Sequence, residues 1–156
     1  MNFSIALKPN RIRLLRKVLG EIQKSNTKKH LMFLINETQF GIFTSQKDRT
    51  LMRDNIDIKC VFNLSQISHE EENEIYLGNS SCIKFSMYRD IFNNLIEQTT
   101  SMENFNKIYL SLEADSFNTY FNIKMSNDSF SNKTIMSFPI QLDHWDMELM
   151  SNIKAI

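Results

Sequence analysis

Asn10–Lys24, NRIRLLRKVLGEIQK, is the stretch on which the reading of this chain turns. At a helical advance of ~100° per residue, Ile12, Leu14, Leu15, Val18, Leu19 and Ile22 fall on one side. Arg13, Lys17 and Lys24 centre the other, and Arg16 flanks them. The pattern predicts an amphipathic helix with a cationic outer face, N-capped by Asn10 and preceded by Pro9, which ends whatever comes before it. The apolar stripe is wide, as suits a helix lying on a sheet. Its basic side faces either water, the ordinary fate of a charged helix face, or a polyanion.

Around this helix the chain reads as strands. Before it, Phe3, Ile5 and Leu7 alternate with Ser4, Ala6 and Lys8, the period of a half-buried strand. After it, HLMFLIN is a continuous apolar run too short for a helix and reads as a buried strand. Asn36-Glu37 turns it into QFGIFTS, with Phe40, Ile42 and Thr44 on one face, so the two form a hairpin. A charged loop, Gln46 to Asn55, leads to a fourth strand with Ile58, Cys60 and Phe62 on one side. Residues 65–81 form an acidic connection with a short extended piece at Glu74 to Leu77.

Then the order begins again. Ile83 and Phe85 mark a strand, and Ser86 is placed to cap a helix from Met87 to about Gln98 with Met87, Tyr88, Ile91, Phe92, Leu95 and Ile96 as its stripe. Lys107–Leu112, Thr119–Met125 and Thr134–Ile140 follow as strands, separated by Asp/Asn/Ser turns. Pro139 confines the end of the last strand to an edge or bulge. Ser4–Lys8 matches Cys82–Ser86, Lys29–Asn36 matches Asn106–Glu113, and Ile58–Leu64 matches Ile135–Gln141, an offset of roughly 77 residues. The expected fold is α+β: an internal duplication of a β-α-β-β-β unit (repeats 1–64 and 82–142), with two helices side by side on one face of curved antiparallel sheets.

Bulk properties agree with one domain. The chain has 156 residues, only three Gly and two Pro, and no low-complexity tract to mark a boundary. The N-terminal apolar run is too short for a signal peptide and no stretch approaches the ~20 residues of a membrane span, so an intracellular protein without a membrane partner is expected. Cys60 and Cys82 lack a CxxC or His neighbours and read as reduced, buried thiols. Net charge is zero, but residues 1–30 hold eight Lys/Arg against the single acid Glu21. Overall neutrality argues against a freely DNA-coating protein, while the polarity leaves room for one basic surface.

The same residues resemble a sliding DNA clamp. Leu15-Arg16-Lys17-Val18-Leu19 after an N-terminal strand is similar to the Leu-Lys-Lys-Val-Leu helix of PCNA-type clamps, and the element order, IKFSMYRDIFNNLI and TYFNIKMSND follow the same pattern. Within that superfamily the start MNFSIAL, the stretch CIKFSMYRDIFNNL and the closing Phe138-Pro139-Ile140-Gln141-Leu142 with Trp145 soon after resemble the Hus-type subunit of the heterotrimeric DNA-damage checkpoint clamp. The likeness covers nearly the whole chain through pattern more than identity.

The resemblance implies a non-enzymatic nuclear protein with the DNA-clamp (processivity) fold. Such a subunit belongs to a hetero-oligomeric ring that encircles duplex DNA without reading sequence, with other clamp subunits, a clamp loader and repair or checkpoint proteins as partners and no cofactor. Arg16 and Lys17 match the basic pair of the lining helix; Arg13 and Lys24 join them by the helical-wheel reading alone. The strand Thr119, Tyr120, Phe121, Asn122, Ile123, Lys124, Met125 resembles the edge through which subunits pair. The family's subunits carry two such domains; this chain holds one (1–142), and 143–156 falls where a connector or C-terminal tail begins. The second helix departs from the pattern, since Asp90, Asn93 and Glu97 stand where replicative clamps place lysines.

No enzyme signature emerges. His30, His69 and His144 are dispersed, and His69-Glu70-Glu71-Glu72 reads as a solvated acidic loop before it reads as a metal site. There is no Gly-rich phosphate loop and no nucleophile elbow. Two functional readings remain: a ring-forming clamp domain, and an interaction module that keeps the fold and pairs through an edge strand without encircling DNA.

Overall fold

The alternating Phe3, Ile5 and Leu7 form the buried side of strand β1 (Asn2–Leu7), from which the chain builds a mixed α+β fold on one long antiparallel sheet. The computed structural model describes residues 2–26, 29–48, 53–78, 82–127 and 130–142; Trp145, His144 and the 143–156 tail lie outside them. A 3-10 turn at Pro9–Arg11 leads into helix α1 (Ile12–Ser25), then β2 (His30–Ile35), β3 (Gln39–Asp48) and β4 (Arg53–Asn63). A short helix α2 (Leu64–Ile67), a 3-10 turn at Glu70–Glu72 and β5 (Glu74–Tyr76) bring the chain to β6 (Ile83–Tyr88). Helix α3 (Arg89–Gln98) follows with a 3-10 extension over Thr99–Asn104, and β7 (Lys107–Ala114), β8 (Thr119–Asn127) and β9 (Phe130–Leu142) complete the order.

Across the sheet the strands run β4-β3-β2-β6-β9-β8-β7-β1-β5. The two leading strands are exchanged. β6 pairs with β2 from His30↔Tyr88 to Ile35↔Ile83, and β1 pairs with β7 from Ser4↔Ser111 to Leu7↔Ile108. Only Phe85↔Leu142 and Ser86↔Gln141 join β6 to β9. The continuous run Leu31–Ile35 is buried on both faces, Leu31, Phe33 and Ile35 in the main core and Met32 and Leu34 against Phe43 and Val61, as its lack of alternation implied. Phe33 stands at the centre: its ring stacks on Phe85 across the β2–β6 pair (centroids 4.8 Å, 7° between planes), meets Phe40 edge-on at 5.9 Å, and lies near Phe92 at 6.2 Å and Phe121 at 6.4 Å. Aromatic pairs of this kind add about 0.5–1.5 kcal/mol each beyond their burial.

Both longer helices cover the same side of this aromatic floor. Ile12, Leu15, Leu19 and Ile22 of α1 and Phe92 and Leu95 of α3 enter one core with Phe33, Phe40, Leu110, Phe121 and Ile123. The helices touch, and Gln23 Nε2 of α1 donates to Asn93 Oδ1 of α3 at 3.3 Å.

Several local expectations are corrected. Asn10 does not cap α1: it lies inside the Pro9–Arg11 turn, the residue before the helix is Arg11, and no side chain accepts a hydrogen bond from the first turn. Leu14 is 46% exposed, at the rim of the apolar arc. Met87 and Tyr88 belong to β6, because β2 extends far enough to pair Leu31 with Met87 and His30 with Tyr88; Ser86 therefore caps nothing. As a result Ile83, Phe85 and Met87 take the buried places that Phe3, Ile5 and Leu7 take in β1, and the match of Ser4–Lys8 with Cys82–Ser86 slips. Lys8–Arg11 separate β1 from α1, whereas α3 follows β6 directly. The charged stretch read as a loop at 46–55 is partly ladder, since the backbone of Lys47 pairs with that of Asp54 and Asp48 with Arg53.

Candidate nucleic-acid interface

The surface in question is built on α1. Its first turn contains no acid of its own, so a counter-charge for its cations has to come from another element. Arg13 points fully outward, its side chain 90% exposed, and Lys17 and Lys24 are exposed beside it; Arg16 is 28% exposed. The four cations assigned to this face therefore lie together on the solvent side of the helix.

Sequence reading missed their counter-ion. Glu103 Oε1 lies 3.0 Å from Arg16 Nη1 and 3.4 Å from Arg13 Nε. It is delivered there by the 3-10 extension of α3, where Thr99, Thr100 and Ser101 hydroxyls donate to the carbonyls of Ile96, Glu97 and Gln98 and continue the helix by another turn. Met102, 1% exposed, pins that turn to the core and leaves its neighbour Glu103 on the surface. One carboxylate shared by two guanidiniums neutralises part of the face and orients both arginines.

The outer side of α3 is of opposite character. Asp90, Asn94 and Glu97 are exposed, Asn93 is tied to Gln23, and Arg89 is the cation among them. The two-helix surface is thus a cationic ridge on α1 bordered by acids on α3 and at Glu103.

The proposed pairing strand is corrected. β8, which holds Thr119–Met125, is hydrogen-bonded to β7 from Lys107↔Ser126 to Ala114↔Thr119 and to β9 from Thr119↔Ile140 onward, so it has no open side. Its alternation reports which face of the strand is buried, not its place in the sheet. Among the described residues the open backbone lies elsewhere: on the outer side of β4, on short β5, and on β9, which from Phe130 to Ile140 pairs with β8 and with no other described strand. The signal for β9 was Pro139, a residue that cannot donate to a second neighbour.

The remaining reactive groups do not join this surface. Burial pushes the Cys60 thiol up to about 12. Burial also raises Cys82, with the Lys84 ammonium opposing it. Both thiols are free, and at neutral pH neither is held as a thiolate. His69 Nδ1 is 3.9 Å from Glu71 Oε1, but no three His, Cys, Asp or Glu side chains converge as a metal set among the described residues. No helix among them is long and apolar enough to cross a membrane. No protein-family model and no curated protein matches this chain. What the structure defines is a class: a mixed α+β protein on a multi-stranded antiparallel sheet carrying a pair of surface helices.

Proposed function

We propose that this chain is a non-enzymatic sliding-clamp subunit domain of the DNA-damage checkpoint and repair type, which acts in the nucleus by encircling duplex DNA and holding partner proteins there. The observation that carries the reading is the side-by-side placement of α1 and α3 on one face of the sheet, with Arg13, Arg16, Lys17 and Lys24 outward. Ammonium and guanidinium groups spread along a helix attract phosphates without contacting bases, which gives the salt-sensitive, sequence-independent hold that sliding needs. Two successions of strand, helix and three strands, with exchanged leading strands, support reading the domain as a duplicated unit of the clamp (processivity) type. The open sides of β4 and β9 suit the addition of a neighbouring subunit's strand, head to tail, as ring closure requires. Other clamp subunits, a clamp loader and repair factors are the implied partners.

A second reading keeps the edges and drops the DNA. It is favoured by the acids at Asp90, Glu97 and Glu103, which offset the ridge on α1. Retention on closed circular DNA separates the two. With clamp partners and loader present, Lys17→Glu with Lys24→Glu abolishes retention and leaves subunit association intact if the ring reading holds. Unchanged retention, or its absence in the unaltered protein, assigns the domain to the interaction-module class.

A further inference from the structure

The ladder between β7 and β8 runs to Ala114↔Thr119, and the chain reverses through Asp115-Ser116-Phe117-Asn118. The turn is tied by its own hydrogen bonds. Asp115 N–H donates to the Asn118 carbonyl at 2.9 Å, and Asp115 Oδ1 accepts from the backbone N–H groups of Phe117 at 2.9 Å and Asn118 at 2.7 Å. Asp at the head of the turn and Asn at its end are explained by that bonding. Phe117 is not: it contributes only its N–H to the turn, and at 93% it is the most exposed large apolar residue among the described ones, although Phe is a residue type most often buried. We propose that Phe117 is an anchor for a partner protein, its ring entering an apolar pocket of that protein while a basic side chain at the pocket rim meets Asp115.

Rigidity makes the ring an efficient anchor. The three hydrogen bonds fix the backbone before any encounter, so seating the ring costs little ordering beyond its two side-chain torsions. Aromatics seated in pockets are the residues whose truncation costs an interface most. Charge then selects among occupants. Asp115 is exposed, and the two backbone N–H groups hold its carboxyl below the ordinary value, so it is ionised at neutral pH. No cation pairs with it among the described residues, whereas the oxygens of Glu113, on the strand beside it, are taken by Lys124 Nζ and Asn122 Nδ2. A carboxylate two residues from the ring is repelled by an anionic lipid surface and by a phosphate backbone. It is drawn to Lys or Arg on a protein surface, which is why the pocket belongs to a protein with a basic rim. The tip is no part of the α1 face, so its partner is the same whether or not that face meets DNA.

The test places the photo-reactive amino acid p-benzoylphenylalanine at position 117 of the full chain, and at exposed Glu71 as a control, in the cells that make it. The expected result is a link from position 117, and not from 71, to one protein, identified by mass spectrometry. That protein, purified, is then titrated with the full chain. Phe117→Ala weakens binding about thirtyfold, and Phe117→Leu does so by a smaller factor. Asp115→Asn, which keeps the acceptor of the turn and removes its charge, weakens binding about threefold at low salt and less at high salt. The melting curve of Phe117→Ala matches that of the unaltered chain, because the ring is exposed. A link only to a second copy of the chain, to lipid or to nothing overturns the proposal, as does undiminished binding of Phe117→Ala or of Asp115→Asn to the purified protein.

Discussion

Replacing Glu103 with Gln isolates the one carboxylate that two arginines share, and its effects on stability and on DNA binding have opposite signs. In the folded chain Glu103 Oε1 serves Arg16 at 3.0 Å and Arg13 at 3.4 Å. Both contacts are partly or wholly exposed, so the Coulomb gain is screened and a cost of about 0.5–1 kcal/mol is expected on removal. For a chain of this size that lowers Tm by about 1–4 °C. Toward a duplex the sign reverses, because one negative charge leaves the ridge and Arg16 is released to meet a phosphate. One added phosphate contact steepens the slope of log K against log salt by about 0.9. Taken as neutral at 1 M salt, that slope makes binding about eightfold tighter at ~0.1 M. Fluorescence anisotropy of a labelled duplex, repeated from about 0.03 to 0.15 M salt, reads both quantities. Arg16→Gln serves as the mirror image, with weaker binding and a shallower slope. If Glu103→Gln lowers Tm but leaves affinity and salt slope unchanged, the α1 ridge does not meet nucleic acid and the reasoning fails.

Three further outcomes follow from local geometry. Gly41→Ala places a Cβ 2.7 Å from the Phe43 ring, which is fully buried, so repacking costs about 1–3 kcal/mol and the denaturant midpoint falls without a change in m. Asp115 Oδ1 accepts from the backbone N–H groups of Phe117 at 2.9 Å and Asn118 at 2.7 Å, which hold its carboxyl below the ordinary value. Its folded pKa is the lower one, so its contribution is complete above the unfolded value of about 3.9 and is lost as pH falls through the folded value. Asp115→Ala therefore lowers Tm at neutral pH and leaves it unchanged at pH values below both. Cys60, with its thiol near 12, resists alkylation at pH 8 in the folded chain while half-buried Cys82 reacts first; equal rates would show that the β3–β4 region opens readily.

Sequence patterning captured what depends on one element and missed what depends on neighbours. The inward set Ile12, Leu15, Leu19 and Ile22 was legible because burial on a helix repeats with its period, and β2 because five apolar residues in succession fit a strand covered on both sides. Leu14 was misassigned because it sits at the rim of that arc, where the depth of the groove decides. Thr119–Met125 carried no trace of its two hydrogen-bonded neighbours: alternation fixes which face a side chain takes, whereas edge or interior is settled by strands distant in sequence. Glu103 belongs to no periodic pattern. Its position beside Arg13 and Arg16 follows from how far three hydroxyl contacts carry the end of α3. The strand ends at Lys47/Asp54 and Asp48/Arg53 were hidden by charged residues, which are depleted in strands.

The exchanged leading strands explain why the candidate surface exists at all. β1 completes the ladder of β7, and β6 completes that of β2, so each helix leaves from a strand embedded in the opposite half of the chain. Both helices then return across the same aromatic floor and meet antiparallel: Gln23 near the end of α1 reaches Asn93 in the first half of α3, while Arg13 and Arg16 near its start reach Glu103 beyond the end of α3. Were β1 paired with β2 and β6 with β7, each helix would cover its own half and the polar contacts between them would have no reason to form. The shared face is therefore a property of long-range strand pairing, and its charge is a property of local sequence. Cations on α1 and acids on α3 make the face asymmetric although the topology treats the helices alike, and that asymmetry assigns any contact with a polyanion to α1.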